Sequence, residues 1–447
     1  VIKEIFQKLF QRLYDKIPRT ATAPFCPSEI SGSVVILPNA GFWKTLFAFL
    51  GPGLLISVGY MDPGNWATDI EAGSKFGFSL LSVVLFASFA AIVLQYLSQK
   101  LGLATKKDLA RLCREQYHPK VNFVMWILAE LAIIACDLAE VLGSALAFKL
   151  MFGISMITGI IITAFDTLLV LGLKGKGFRQ VEAVILGLII TIGLCFAAEL
   201  FFVKPDWLMV SHGFIPTAEL FRSKEAWFIA IGIMGATVMP HNLYLHSSIV
   251  QTRKIGQLAK DTRRAIRFSS FDTISSLTVA FFINAAILIL AGAAFHDQGV
   301  AEIQDAYRLL EPIIGTHLAP LLFAIALLAS GQSSTFTGTI AGQILMEGYL
   351  DLKIPCWQRR LITRGLAVIP AIIGIYYLGE NSVGKLLVLS QVILSFQLPF
   401  ALYPLIRFTS SHQLMGEFAN KLFIKFLSWF LFFIITAANL YLIWQIF

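Results

Sequence analysis

Apolar runs long enough to cross a bilayer recur from one end of this chain to the other, and that recurrence leaves few folds open. A spanning helix needs about 20 apolar residues. Eleven such segments are expected, near residues 46–75, 77–100, 121–148, 153–173, 180–203, 227–251, 268–294, 316–349, 361–379, 382–406 and 422–446. The third is longer than a bilayer requires, so tilt or protrusion is expected, and the eighth extends beyond the membrane. Only 14% of residues are charged, against about 25% in soluble domains, and the mean hydropathy is +0.75. The fold class is an all-α polytopic membrane protein.

The net charge of +8 is not a nucleic-acid signal, because its placement explains it. Basic residues crowd alternate loops: Lys106, Lys107, Arg111, Arg114 and Lys120, then Lys174, Lys176 and Arg179, then Arg253 to Arg267, then Lys353, Arg359 and Arg360. The loop after the seventh segment carries Asp297, Glu302, Asp305 and Glu311 instead. By the positive-inside rule the basic loops are cytoplasmic, which puts the N-terminus inside and Phe447 outside.

Residues 1–17 are a different object. Ile2, Ile5, Phe6, Leu9, Phe10, Leu13 and Ile17 share one helical face and Lys3, Lys8, Arg12 and Lys16 the other. This segment is either a cationic amphipathic helix on the inner leaflet or a poorly ordered basic tail. Residues 18–42, rich in Pro, Ser, Thr and Gly, read as a linker, so residues 1–42 form a cytoplasmic segment and 43–447 the transmembrane domain. Cys26, Cys113, Cys136, Cys195 and Cys356 are scattered and imply neither a disulfide framework nor a zinc site. No N-x-S/T sequon occurs, which leans toward a bacterial plasma membrane.

Two segments are broken in the middle: Gly59-Tyr60-Met61-Asp62-Pro63-Gly64-Asn65, and Gly235-Ala236-Thr237-Val238-Met239-Pro240-His241-Asn242. Helix breaks in lipid are tolerated only where protein or a water-filled cavity surrounds them, and a Gly/Pro-interrupted pair in corresponding halves points to a transport site. Pro240 has no N–H, so the Ala236 carbonyl loses its helical partner; Pro63 does the same for Gly59. The breaks then offer the Asp62 carboxylate, the Asn65 side-chain oxygen, the Ala236 carbonyl and the Met239 sulfur. Oxygens alone suit Mg²⁺ or Ca²⁺; a thioether favours softer divalent transition metals.

These motifs resemble the two signatures of the Nramp family of divalent-metal transporters. The likeness extends to Asp137-Leu138-Ala139-Glu140, Gly331-Gln332-Ser333-Ser334-Thr335, and Ser390-Gln391 through Gln397-Leu398-Pro399. It implies a five-plus-five inverted repeat, with repeat one at about 46–203, repeat two at about 227–406, an extra helix at 422–446, and broken helices 1 and 6. It implies that Asp62, Asn65, Met239 and the Ala236 carbonyl bind the metal and that Gln391 joins them in some conformations. Import of Mn²⁺, and also Fe²⁺, Co²⁺ or Cd²⁺, coupled to protons is the expected activity; a magnesium-transporting relative of the same fold is the alternative. The expected partners are divalent transition metals, protons and the lipid bilayer, with no cofactor, no nucleic acid, no obligatory protein partner and no enzymatic activity.

A proton route is expected alongside the metal. Glu130, Asp137 and Glu140 share one face of the third segment, and carboxylates inside a bilayer suggest either a relay or a buried ion-pair network. The resemblance favours the relay, which includes Asp62. Arg359, Arg360 or Arg364 are candidate basic partners. His241 is a candidate proton acceptor, gate element or hydrogen-bonded helix-start neighbour, and His246 a structural hydrogen-bonder. Asp166 and Glu182 are expected to hold helices together, Asp272 and Glu347 to sit at the inner gate, and Asn284 to line the outer pathway. Asp69 and Glu71 read as ordinary solvated positions that alternatively attract cations.

Overall fold

A computed structural model describes residues 31–36, 41–172, 178–217, 219–296, 302–316, 318–352 and 356–446. Helices occupy all eleven expected positions. The first segment is α1 (Phe42–Phe49), α2 (Pro52–Gly59) and α3 (Pro63–Phe76). There follow α4 (Leu81–Thr105), a short α5 (Leu109–Gln116), α6 (Pro119–Phe152), α7 (Met156–Gly172) and α8 (Phe178–Val203). The second half opens with α9 (Lys224–Val238) and α10 (Pro240–Ile249), then α11 (Ala259–Ala294). An amphipathic helix, α12 (Ile303–Ile314), precedes α13 (Leu318–Leu350), α14 (Cys356–Leu378), α15 (Val383–Thr409) and α16 (Leu422–Ile446). Among the described residues nine helical stretches are long and apolar enough to cross a membrane.

The expected lengths of the third and eighth segments hold: α6 has 34 residues and α13 has 33. Two boundaries differ. α11 starts nine residues before the expected 268, because the polar stretch from Ala259 extends the helix at the N-terminal end of its apolar run. The linker is also not all linker. Val34–Val35 pairs in parallel with Arg253–Lys254, so residues 32–36 are tied to the segment just after α10. Residues 1–17 lie outside the described residues.

Most of the buried apolar side chains form one large core through which both broken helices run, with smaller clusters beside it. Within the stretch from Lys224 to Thr252 the most apolar 18-residue window is 94% buried, which is why it carries polar groups without lipid contact. Close approaches of backbone fix the broken helices in place. A Cβ at Gly73 would meet the Leu288 carbonyl and Ala291 on α11, and one at Gly53 would meet Asp272. Both positions therefore require glycine for packing.

Candidate functional site

The first break is built by helix-start chemistry. Asp62 is the N-cap of α3: its Oδ1 accepts the Asn65 backbone N–H at 2.8 Å, and Pro63 stands at the first helical position, where its missing N–H costs nothing. On the other side α2 ends in a tightened turn, with the amides of Tyr60, Met61 and Asp62 bonding to the carbonyls of Ser57, Val58 and Gly59. The Gly59 carbonyl is thus less free than the missing proline N–H suggests, because Asp62 N reaches it at 3.3 Å. Side chains satisfy the unwound carbonyls between. Asn284 Nδ2 donates to Tyr60 O at 2.8 Å, and Trp66 Nε1 and Ser330 Oγ donate to Met61 O.

The second break is a single residue. α9 ends at Val238 and α10 starts at Pro240, with Met239 between them at φ +39° and no side-chain cap. A non-glycine residue there carries strain of about 1–3 kcal/mol, of the kind that collects at ligand sites. The Ala236 carbonyl, freed by Pro240, accepts Asn65 Nδ2 at 3.0 Å.

The breaks meet through reciprocal asparagines. Asn65, three residues after Asp62, donates to Asp62 Oδ1 (2.7 Å) and across to Ala236 O. Asn242, three residues after Met239, contacts Met239 Sδ (3.4 Å) and donates across to Ile56 O (3.4 Å). Asp62, Asn65, Ala236 and Met239 are each at most 1% exposed, so the cluster is closed from both faces. Asp62 Oδ2 has no hydrogen-bond partner. Gln391 is buried against the same break: a Cβ at Gly64 would overlap its side-chain amide, and its Oε1 has no partner. Among the described residues no group of three His, Cys, Asp or Glu side chains could hold a metal. Any metal reading rests instead on this mixed set of carboxylate, amide, carbonyl and thioether, whose hard and soft donors together fit a transition metal.

Residues 53–445 match the model of the natural resistance-associated macrophage protein-like family, Nramp. The chain belongs to the Nramp family. The divalent metal cation transporter MntH of Ralstonia nicotianae is 61% identical over 433 residues, covering 96% of this chain and 98% of that protein. MntH 1 of Pseudomonas aeruginosa is 62% identical over 431 residues, with the same coverage of 96% and 98%. Among solved structures, the Eremococcus coleocola manganese transporter in complex with an aromatic bis-isothiourea-substituted compound matches with a TM-score of 0.86 at 38% identity. That match covers 93% of this chain and 90% of the other. The family resemblance carried by the Nramp motifs is therefore borne out.

Around the breaks of this Nramp chain lie the other candidates. Asp137 and Glu140 on α6 both face Gly338 of α13, where a Cβ would come within 3.1 and 2.9 Å of their carboxyl oxygens. Cys136 Sγ lies 3.5 Å from His241 Nε2 and 3.6 Å from Glu140 Oε1, linking the second break to those carboxylates. A lone cysteine gave no signal for that link. Arg364 Nη1 is 3.8 Å from Glu140 Oε2. The Arg359, Arg360 and Asp166 side chains lie outside the described residues. Glu130 is half-buried two turns inward on α6. His246 Nδ1 and Gln95 Oε1 are 2.9 Å apart, and Gln95 Nε2 donates to the Tyr60 hydroxyl at 2.9 Å, a structural bond as expected.

The end of the molecule that holds Gly51 and Arg253 is fastened by charge. Asp272 accepts the amides of Gly51 and Gly53 at the start of α2, at 3.2 and 2.6 Å. Buried Arg253 pairs with Glu182 at 2.8 Å and donates to the carbonyls of Ala48 and Leu50. Glu347 accepts from Gln343 Nε2 at 2.6 Å. Asp69 departs from the solvated reading: it is 2% exposed, while Glu71 pairs with Lys75 at 2.6 Å. Glu199 on α8, fully buried with neither carboxyl oxygen hydrogen-bonded, is an acidic residue that reading the sequence passed over. An acid inside an apolar run was the available signal.

Proposed function

We propose that this Nramp chain is a proton-coupled secondary transporter that imports divalent transition-metal ions, Mn²⁺ foremost and also Fe²⁺, Co²⁺ and Cd²⁺, by alternating access. The observation that carries the reading is the convergence of two helix breaks on one closed cluster, in which Asn65 joins the Asp62 carboxylate to the Ala236 carbonyl beside Met239. Asp62, Asn65, Ala236, Met239 and Gln391 are the proposed metal ligands. Relatives at 61–62% identity are described as divalent metal cation transporters, and the structural relative as a manganese transporter, which supports the substrate class. The thioether favours a transition metal over Mg²⁺.

Protons are proposed to move through Asp62, His241, Glu140, Asp137 and Glu130, with Arg359 and Arg360 as basic partners. The short separations from His241 through Cys136 to Glu140 support that route. Residues 43–447 form the transport domain in this reading and residues 1–42 a cytoplasmic lead segment. The basic loops support an N-terminus inside and a C-terminus outside, in a bacterial plasma membrane. Alternating access requires the inner fastening at Asp272 and Arg253 to open while the outer side stays closed. Mn²⁺ uptake into proteoliposomes under an inward proton gradient tests the reading. Uptake that rises with the gradient is expected, and no uptake under any gradient would contradict it.

A further inference from the structure

α3 carries a second acidic position whose surroundings leave its charge unanswered. Asp62, Asn65 and Asp69 are spaced three and four residues apart, so they form one stripe on the helix, with Asp69 about 10 Å outward of Asp62. Asp69 is 2% exposed and its Oδ2 has no hydrogen-bond partner. The one basic residue of α3, Lys75, is engaged by Glu71 and Glu225, both at 2.6 Å. The facing outer half of α11, from Phe281 to Ala294, has no charged side chain.

Contacts on either side locate Asp69 within the seam between α3 and α11. One turn inward, Asn284 Nδ2 lies 3.3 Å from Asn65 Oδ1, and the Asn284 Oδ1 is itself buried with no partner. One turn outward, Gly73 packs on Leu288 and Gly292. Beyond that constriction a cavity of about 560 Å³ opens toward the outer face, bordered by Phe76, Gly77, His212, Gly292 and His296. The seam thus runs from an outer cavity, past two small residues, to a buried carboxylate and a buried amide oxygen, and ends at the Asp62 cluster.

An ionised carboxylate is costly to hold in such a place unless a cation visits it. We infer that Asp69, with the Asn284 amide oxygen one turn inward, is an outer station where the incoming divalent cation pauses on its way along the α3–α11 seam to Asp62. The inference rests on the proposed transport of divalent metal. The station offers oxygen donors only, so it accepts Mg²⁺ and Ca²⁺ as readily as Mn²⁺. Selection is left to the inner cluster, where Met239 stands. A carboxylate at this point raises the local cation concentration, and its loss is expected to slow loading rather than the later steps.

The test compares the full chain with Asp69→Asn and Asp69→Glu, using Mn²⁺ uptake into proteoliposomes, inhibition of that uptake by external Mg²⁺, and Mn²⁺ binding to the solubilised protein. For Asp69→Asn the apparent KM for Mn²⁺ should rise about tenfold, with the maximal rate and Mn²⁺ binding at the inner cluster little changed. Inhibition by Mg²⁺ should weaken, and Asp69→Glu should restore both. An unchanged KM together with unchanged Mg²⁺ inhibition would overturn the inference. So would joint loss of uptake and binding in monodisperse protein, since that would make Asp69 a support of the inner cluster. Failure of the unsubstituted chain to take up Mn²⁺ would count against the transport reading itself.

Discussion

In the first break Asp62 caps α3 with its own side chain, whereas in the second Met239 begins α10 uncapped, at a backbone φ of +39°. Both breaks read X-Pro-x-Asn, and both use the asparagine to reach the opposite helix. What differs is the residue before the proline. The first break puts a charge there and relaxes its backbone around it; the second puts a soft, neutral sulfur there and accepts a strained one. A cluster assembled this way separates two tasks. In the proposed transport reading, charge draws any cation and the thioether favours a softer one.

That division can be broken by substitution, and the sizes of the effects should follow it. Asp62→Asn removes the one charge of the cluster and should lower Mn²⁺ uptake by at least about a hundredfold; a loss below tenfold would mean the charge sits elsewhere. Asn65→Ala takes away a donor and the bridge to Ala236, with an expected loss of about thirtyfold in uptake efficiency. Met239→Ala should leave uptake within about tenfold but reduce discrimination of Mn²⁺ over Mg²⁺ and Ca²⁺ by a similar factor. Met239→Gly loses the same sulfur yet relieves the backbone, so it should unfold at higher denaturant than Met239→Ala, by about 1 kcal/mol. Equal stability of the two variants would remove strain from the account of the second break. Asn242→Ala should cost about fivefold in KM through loss of its hydrogen bond, well below the effect at Asn65.

A smaller effect belongs to neither break and must be separated from any pH dependence of transport. Burial pushes the Glu302 carboxyl up to about 7, against the amides of Gly384 and Lys385 that pull it down. The folded chain holds that proton more tightly than the unfolded chain. The associated stability is present below the ordinary value of 4.5 and is lost as the pH rises through about 7. Relative to Glu302→Gln, the unsubstituted chain should therefore lose melting temperature between about pH 5 and pH 8. Parallel curves would show that Glu302 does not titrate in this range.

Much of this was legible in sequence because lipid is an unforgiving solvent. Apolar length fixed the number and type of elements, and proline and glycine inside those lengths marked the breaks. An intramembrane Asp and a proline-freed carbonyl were readable from local chemistry alone. The remainder depended on tertiary packing. Cys136 acquires a place between His241 and Glu140 only when α6 lies against α10. Asp69 looks like a solvated acid until the fold buries it. The pairing of residues 34–35 with 253–254 joins segments more than two hundred residues apart, and no local pattern announces it.

The central claim is that one divalent transition metal sits where the two breaks meet. Anomalous scattering from crystals soaked in Mn²⁺ tests it most directly. A single strong peak bounded by Asp62, Asn65, the Ala236 carbonyl and Met239 Sδ is predicted, and it should be lost in Asp62→Asn. A peak elsewhere in the chain, with none between the breaks, would contradict the account.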